Sequence, residues 1–500
     1  MSWSAAGAPR ALPPRKARLA APRLAASGQG RRSLAAAIIL LATMIDLTCR
    51  RAPHLRRGKA APVVVVPRSW DAGGPPAASE SEPNNVPAQA QELKWTGSPL
   101  ATAVSGRIDH NDPGTAVDVD VFKLIVPGQR PAIASDAGQA VALRSAGRRL
   151  SVTIAPEPGF APILDLLDEA LHVVRSLPAG PGETVGLPNM AVLPGYSYYL
   201  RVKPALAGKG RSSVDAGVPA GSAYRLTALL LDFEPADERE PNDRMESADD
   251  LTWQGPMALA AGLFGWRRDE DWYRLSLDGI DAGRVLNLEL EGVDGVAASL
   301  TVNDSAGKKI ARVHGRKGER LTLHNLALPK AGADAGAAAA GGRCCYLVVR
   351  PESGVDREHR YVLHAEAAMP EALGNSETEP NDDAAHASPL ADGTTTGYLP
   401  AGDVDFFRYQ CKESRALDVE ASAPSRVKVK IEILRERDGQ VLAQVGAAKA
   451  NQPARLFGFL CPVEPILIRL SQGKYDGNAS EPYLLKVASR LAPRDAGRRD

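Results

Sequence analysis

The sequence is short of most things that would give it a familiar chemistry. Its 500 residues include five cysteines, and no two are spaced as Cys-x-x-Cys, which argues against a zinc site. No His-Glu-x-x-His, no Gly-x-Ser-x-Gly and no glycine-rich phosphate loop occurs, so the common hydrolase and nucleotide-binding motifs are missing. Acids outnumber basic residues beyond residue 59. The first 59 residues take twelve of the 60 Lys and Arg and only one acid, Asp46, leaving 48 basic and 58 acidic residues, a net charge of about −10. An acidic body without a basic cluster argues against nucleic-acid binding, which needs a positive face. Helical periodicity is nearly absent, and aromatics make up only 5% of residues against 46 Gly and 39 Pro. That mixture suits short strands joined by many turns.

The N-terminal segment reads as export machinery. Residues 1–32 are rich in Arg, Ala and Pro, either an overlong basic leader or the product of a start placed too early. Leu34 to Ile45 is an unbroken run of apolar and small residues. It falls short of the roughly 20 residues a bilayer-spanning helix needs and has the length of a signal-peptide core. Leu47-Thr48-Cys49 closes it and resembles the bacterial lipoprotein signal, which implies that Cys49 becomes the lipid-bearing first residue. Asp46 departs from that signal, and Arg50, Arg51, Arg56 and Arg57 oppose translocation. Residues 1–49 are therefore expected to be an export signal or anchor, and 50–79 a disordered Pro/Ala-rich tether. Within it, the run Val63–Val66 is either a short strand or a loop.

The rest is organised by one stretch that occurs three times: Glu80-Ser81-Glu82-Pro83-Asn84-Asn85, Glu238-Arg239-Glu240-Pro241-Asn242-Asp243 and Glu377-Thr378-Glu379-Pro380-Asn381-Asp382. Each copy is followed by paired acids running into aromatics: Asp118-Val119-Asp120-Val121-Phe122, Asp269-Glu270-Asp271-Trp272-Tyr273 and Asp403-Val404-Asp405-Phe406-Phe407. The copies start 158 and then 139 residues apart. Each unit is thus domain-sized, too long for a solenoid repeat, and three beads on a string are expected: 80–236, 237–375 and 376–490, then a polar tail, 491–500.

Inside each unit a glycine (Gly106, Gly262, Gly397) precedes the acidic pair. Period-2 alternation then takes over, as in Leu150, Val152 and Ile154, in Leu286, Leu288 and Leu290, and in Leu417 and Val419. Such alternation marks half-buried strands. Turns at Asn303–Gly307 and Arg437-Asp438-Gly439 place glycine where a hairpin needs positive φ. Two further strands close each unit, the last opening on Tyr224, Tyr361 or Tyr483. Residues 164–175 fit a short helix or, by alignment with the other units, a hairpin. The insertions 205–222 and 329–343 read as disordered surface excursions. The expectation is an all-β chain of three tandem antiparallel, jelly-roll-like β-sandwiches. Trp272-Tyr273 and Phe406-Phe407 each place one ring inward and one outward. Cys411 and Cys461 fall on strands of one unit, as a disulfide or as two buried apolar side chains. Cys344 and Cys345 point to opposite faces, so at most one meets the core.

Glu-Pro-Asn-Asp, the glycine, the Asp-x-Asp-aromatic strand and the final Tyr-x-Leu strand together resemble the bacterial pre-peptidase C-terminal domain, related to the collagen-binding domains of collagenases. The resemblance spans about 80–490. The first unit departs at Asn85, where an acid is usual. The resemblance implies a non-catalytic β-sandwich of secreted proteins, with calcium as cofactor. Its implied ligands are Glu80, Glu82, Asn84, Asn85, Asp118 and Asp120; Glu238, Glu240, Asn242, Asp243, Asp269 and Asp271; and Glu377, Glu379, Asn381, Asp382, Asp403 and Asp405. Simple electrostatics points the same way: calcium takes six to eight hard oxygens, and alternate acids on an extended segment face one side, where they repel unless a cation lies between them. The plain alternative is a turn at Glu-Pro-Asn beside a solvated Asp-x-Asp edge.

The resulting expectation is a non-enzymatic, exported or envelope-bound monomer. Its modules bind an extracellular protein or polysaccharide, or act as a surface spacer; the alternative is an accessory subunit of a separate secreted protease. Contact with the membrane is expected only through the N-terminal lipid or anchor.

Overall fold

Alternating patterns become paired sheets in all three units. The computed structural model describes residues 75–109, 118–133, 135, 142–205, 222–281, 283–328, 343–369, 375–411, 413–473 and 477–491. The export segment with Cys49, the Val63–Val66 run, most of the two long insertions and residues 492–500 lie outside the described residues. All described residues belong to one unit, Val63–Asp500, and none of their helices is long and apolar enough to cross a membrane.

The first module has strands β1 (Ala78–Ser79), β2 (Gln91–Leu93), β3 (Leu100–Ile108), β4 (Asp120–Ile125), β5 (Arg148–Pro156), β6 (Pro162–Leu167), β7 (Val173–Pro178), β8 (Val185–Val192), β9 (Ser197–Pro204) and β10 (Ser222–Leu231). They form two sheets, β1-β3-β10-β5-β8 and β2-β4-β9-β6-β7. Every connection except the β6–β7 hairpin crosses from one sheet to the other. That arrangement makes a sandwich whose inward residues share one core: Leu150, Ile154, Leu164, Leu200 and Leu226 are buried together. Each such leucine contributes on the order of 2 kcal/mol. The second module repeats the plan with two five-stranded sheets, and the third with one of five and one of four. Their cores are separate clusters, around Leu286, Leu300 and Leu363 and around Leu417, Ile431 and Leu485. The chain is all-β.

Several local expectations are resolved. Residues 164–175 lie in the β6–β7 hairpin, turning at Leu171 with φ 65°. Gly307 and Gly439 sit at φ 80° and 70°, the left-handed region that favours glycine. Tyr273 and Phe407 face the core; Trp272 packs edge-on against Tyr346 and Phe406 lies under Arg469, so the outward rings pack within the sheet. Cys411 and Cys461 are joined in a disulfide, their Cα atoms 6.2 Å apart.

One expectation needs correction. The tether does not extend to residue 79, because Ala78 and Ser79 pair in parallel with Val104 and Ser105 as β1. Cys344 and Cys345 are both buried, on opposite faces of their strand as expected. Only Cys345 belongs to the core cluster; Cys344, on the other face, is covered beside Arg274.

Nor are the modules simply strung. Each of the first two carries a bulge in one edge strand, where Pro188 and Asn189 lie between the pairs Leu150–Met190 and Val152–Leu187. His324 and Asn325 lie likewise between Leu286–Leu326 and Leu288–Leu323. Asn189 and Asn325 both adopt φ 54°, a conformation asparagine tolerates better than most residues. The next module's motif seats on this bulge. The Glu240 N–H donates to the Asn189 carbonyl and the Ala191 N–H to the Glu240 carbonyl, at 3.0 and 2.7 Å. Glu379 repeats the exchange with Asn325 and Ala327, at 3.1 and 2.7 Å. The first junction adds Asp237, buried between Arg149 at 2.8 Å and Arg360 at 2.5 Å. The second adds a His324–Tyr398 stack and a cleft of about 230 Å³ lined by both.

Candidate metal centres

The repeated motif laces the two sheets of its own module together. Its first glutamate runs beside the strand carrying the recurrent glycine: the N–H groups of Glu80, Glu238 and Glu377 donate to the carbonyls of Ser105, Ala261 and Thr396. Its asparagine meets the opposite sheet: the N–H groups of Val121, Trp272 and Phe406 donate to the carbonyls of Asn84, Asn242 and Asn381. The Glu–Pro bond between them is cis in every copy. The second glutamate folds back, accepting from the N–H of Asn84, Asn242 or Asn381 at 2.8, 3.1 and 3.0 Å.

This path brings the acids together. In each of the sets Glu80, Glu82 and Asp120; Glu240, Asp269 and Asp271; and Glu377, Glu379 and Asp405, one carboxylate oxygen per residue lies within 4.8 Å of the others. The second acid of each Asp-x-Asp pair is therefore inside its cluster. The other expected residues sit around these sets. Asp118 accepts the Asp109 N–H and Asn85 that of Val119 at 2.9 Å. Asp403 is half-buried and Asp382 exposed at the rim. Glu238 is held by the Asn189 amide at 2.8 Å and the Leu263 N–H at 2.9 Å.

A tyrosine from the last strand completes each cluster. Tyr361 donates to Asp271 at 2.5 Å and lies 3.3 Å from Glu238; Tyr483 donates to Glu377 at 2.7 Å; Tyr224 donates to Asp120. One hydroxyl carries one proton, so it cannot satisfy two carboxylates at once. The recurrent glycine has its reason here. A Cβ on Gly106, Gly262 or Gly397 would overlap both the tyrosine ring and the first glutamate.

The clusters are electrostatically unsatisfied. Among the buried oxygens without a hydrogen-bond partner are Glu240 Oε1, Asn242 Oδ1, Asp269 Oδ1 and Asp271 Oδ1 in the second module. Asn381 Oδ1 and both oxygens of Asp405 are equivalent in the third, and Glu80 Oε2, Asn84 Oδ1 and Asp120 Oδ1 in the first. Such groups cost about 1–3 kcal/mol each when left unpaired. Loss of water raises the carboxyl pKa of Glu80 and Glu377 to about 7, of Glu238 and Glu379 to about 8 and of Asp120 to about 9. Burial first, and neighbouring carboxylates next, push Glu240, Asp271 and Asp405 well above the usual range. Each cluster must hold protons or a cation. The donors are all hard oxygens, a set that suits calcium, magnesium or manganese rather than zinc or copper.

The second cluster has a built-in cation. Arg175 of the first module forms ion pairs with Asp243 and, at 3.5 Å, with Glu240, and lies over the Trp266 ring. Arg175, Asn189 and the three tyrosines are not among the residues the sequence singled out as site groups. The tyrosines were visible there only as strand openers, recurring in step with the glycines.

No family model and no curated protein matches the chain. Solved structures resemble it only faintly. Broad bean stain virus covers 56% of this chain and 91% of its own, with 10% identity and a TM-score of 0.17. A putative secreted protein from Parabacteroides distasonis covers 57% and 93%, with 8% identity and a TM-score of 0.16. An archaeal virus protein with a triple jelly-roll fold covers 81% and 91%, with 9% identity and a TM-score of 0.16.

Proposed function

We propose that this is a non-catalytic, exported bacterial protein in which three calcium-stabilised sandwiches form a spacer that presents binding surfaces outside the cell. The observation that carries the reading is the threefold recurrence of one carboxylate cluster at the start of every module, each holding buried oxygens without a hydrogen-bond partner among the described residues. The modules are taken as relatives of pre-peptidase C-terminal domains on the motifs they share. Calcium would be held by Glu80, Glu82 and Asp120, by Glu240, Asp269 and Asp271, and by Glu377, Glu379 and Asp405. It would supply charge neutralisation where the two sheets meet and, in the second and third modules, where the preceding module joins them, and so fix module spacing. Of the remaining motif acids, Asp382 and Asp243 would tune affinity from the rim. Extracellular protein or polysaccharide is the ligand class in view, with a lipid on Cys49 as the membrane attachment.

The test is calcium titration of the full chain, followed by thermal melting and calorimetry. Saturable binding with a rise in melting temperature is expected, at the submillimolar to millimolar affinities usual for extracellular modules. Unchanged melting at saturating calcium overturns the reading. Binding to collagen, glycans and cell-wall material, measured with and without calcium, separates a presenting surface from a bare spacer.

A further inference from the structure

The third module keeps the bulge on which the first two seat their neighbours. Phe457 and Gly458 lie between the pairs Leu417–Phe459 and Val419–Leu456, as Asn189 and Asn325 do in their strands. Gly458 has φ 70°. Its N–H donates to Asp418 at 2.7 Å, as the Asn325 N–H donates to Asn287 at 2.9 Å. The difference lies in what covers it. Met190 and Leu326 are fully buried and Asn189 and Asn325 are buried, whereas Phe459 is half-buried and Gly458 exposed. Beside them Phe457, Leu460 and Val463 are 62%, 63% and 64% exposed, an apolar patch of the kind that marks interaction sites. Arg490, which pairs with Asp418 at 3.2 Å, reaches within 4 Å of the space beside Gly458, and Arg455, which pairs with Glu420 at 3.0 Å, is also at the surface.

We infer that this bulge docks the Glu80–Pro83 segment of a second copy of the chain, joining copies head to tail. The mode of contact is continuous with an interface the chain already makes twice. It comprises an N–H and a carbonyl of the second glutamate exchanged with the bulge backbone and, at the first junction, acidic side chains brought to arginines. The first copy of the motif has the same cis Glu82–Pro83 bond, and Ser81, Glu82 and Pro83 are exposed where Glu240 is buried. Arg490 would meet its acids as Arg175 meets Glu240 and Asp243. Gly458 lacks the side chain with which Asn189 holds Glu238, so this docking rests on backbone pairing and the apolar patch. The contact is heterologous and builds rings or open filaments.

The test uses the full chain and Leu460→Pro, with Leu460→Asp as a second variant. By correspondence with Ala191 and Ala327, the Leu460 N–H points outward from an edge strand, where proline is tolerated. Sedimentation is followed from micromolar to millimolar concentration, with calcium melting read on the same samples. Concentration-dependent association is expected for the wild type, weakened about tenfold or more in both variants with melting unchanged. Tagged Leu460→Pro chain, which keeps its own Glu80–Pro83 segment, still binds wild-type chains and caps their oligomers. A wild type that stays monomeric at millimolar concentration, variants that associate equally well, or a Leu460→Pro chain that fails to bind the wild type each overturns the proposal. None of these results bears on whether calcium binds.

Discussion

Glu240 belongs to the second module and Asn189 to the first, yet the Glu240 N–H donates to the Asn189 carbonyl over 3.0 Å. The Asn189 amide in turn donates to Glu238 over 2.8 Å. One asparagine in a left-handed conformation thus positions both glutamates of its neighbour's motif. Replacing Asn189 with alanine adds a backbone penalty of about 1–2 kcal/mol and removes a hydrogen bond to a charged or polar acceptor. A loss of roughly 2–3 kcal/mol in guanidinium unfolding is expected. Asn189→Gly, which keeps the backbone path, should lose only the side-chain part.

The recurrent glycines make a separate prediction. A Cβ at Gly262 or Gly397 has no room between Glu238 and Tyr361 or between Glu377 and Tyr483. Gly262→Ala and Gly397→Ala should each destabilise by about 1–3 kcal/mol, the usual cost of overpacking. Each should abolish the calcium response of one module and spare the others, which calorimetry reads as one site lost from the titration.

Protons and calcium should compete for the clusters. Folding raises the carboxyl pKa of Glu377 from 4.5 to about 7 and of Glu379 to about 8. The ion-free folded form is therefore favoured by protonation of these groups: that contribution is complete below about pH 4 and is lost as pH rises through 7 to 8. Bound calcium removes the penalty by taking the ionised carboxylates. The calcium-induced rise in melting temperature should grow between pH 6 and pH 9, and binding near neutrality should release protons into a weakly buffered indicator solution. A calcium effect that is flat with pH would contradict the assignment of these buried acids.

Arg175 sets the second site apart. Its guanidinium pairs with Glu240 and Asp243, while Ala311, at the matching position of the second module's hairpin, leaves the third cluster without such a partner. Arg175→Met should raise calcium affinity at the second module by about tenfold, the effect of about 1.4 kcal/mol of relieved competition. It should also lower melting without calcium. A three-site isotherm in which one class moves and the others stay is the expected record.

Much of this was visible in the residues themselves. A six-residue motif written three times, each followed by Asp-x-Asp and an aromatic, announced three units and named most of the carboxylates that meet. Period-2 alternation identified strands in every unit, and alignment of the units favoured the hairpin at 164–175 over a short helix. The residues that escaped did so for physical reasons. Arg175 and Asn189 act on a module they do not belong to, across 65 and 49 positions of sequence, and nothing in a local pattern signals a contact made by a bulge. Tyr224, Tyr361 and Tyr483 occupy inward strand positions, where a buried ring is the ordinary reading of a tyrosine. Ala78 and Ser79 look like tether because two small residues carry no pattern, and only the edge of β3 makes them a strand.

The lacing of each module has a mechanical side. The opening turn is fastened to one sheet by its first glutamate and to the other by its asparagine, and in the second and third modules to the preceding module by the glutamate between them. A pull along the array reaches a module at that turn, so the load is shared among three attachments instead of peeling one strand at a time. Such a chain would behave under tension as a series of clasps. An ion seated among the acids would stiffen each clasp, and the calcium level around the chain would set how much force the array bears before it lengthens.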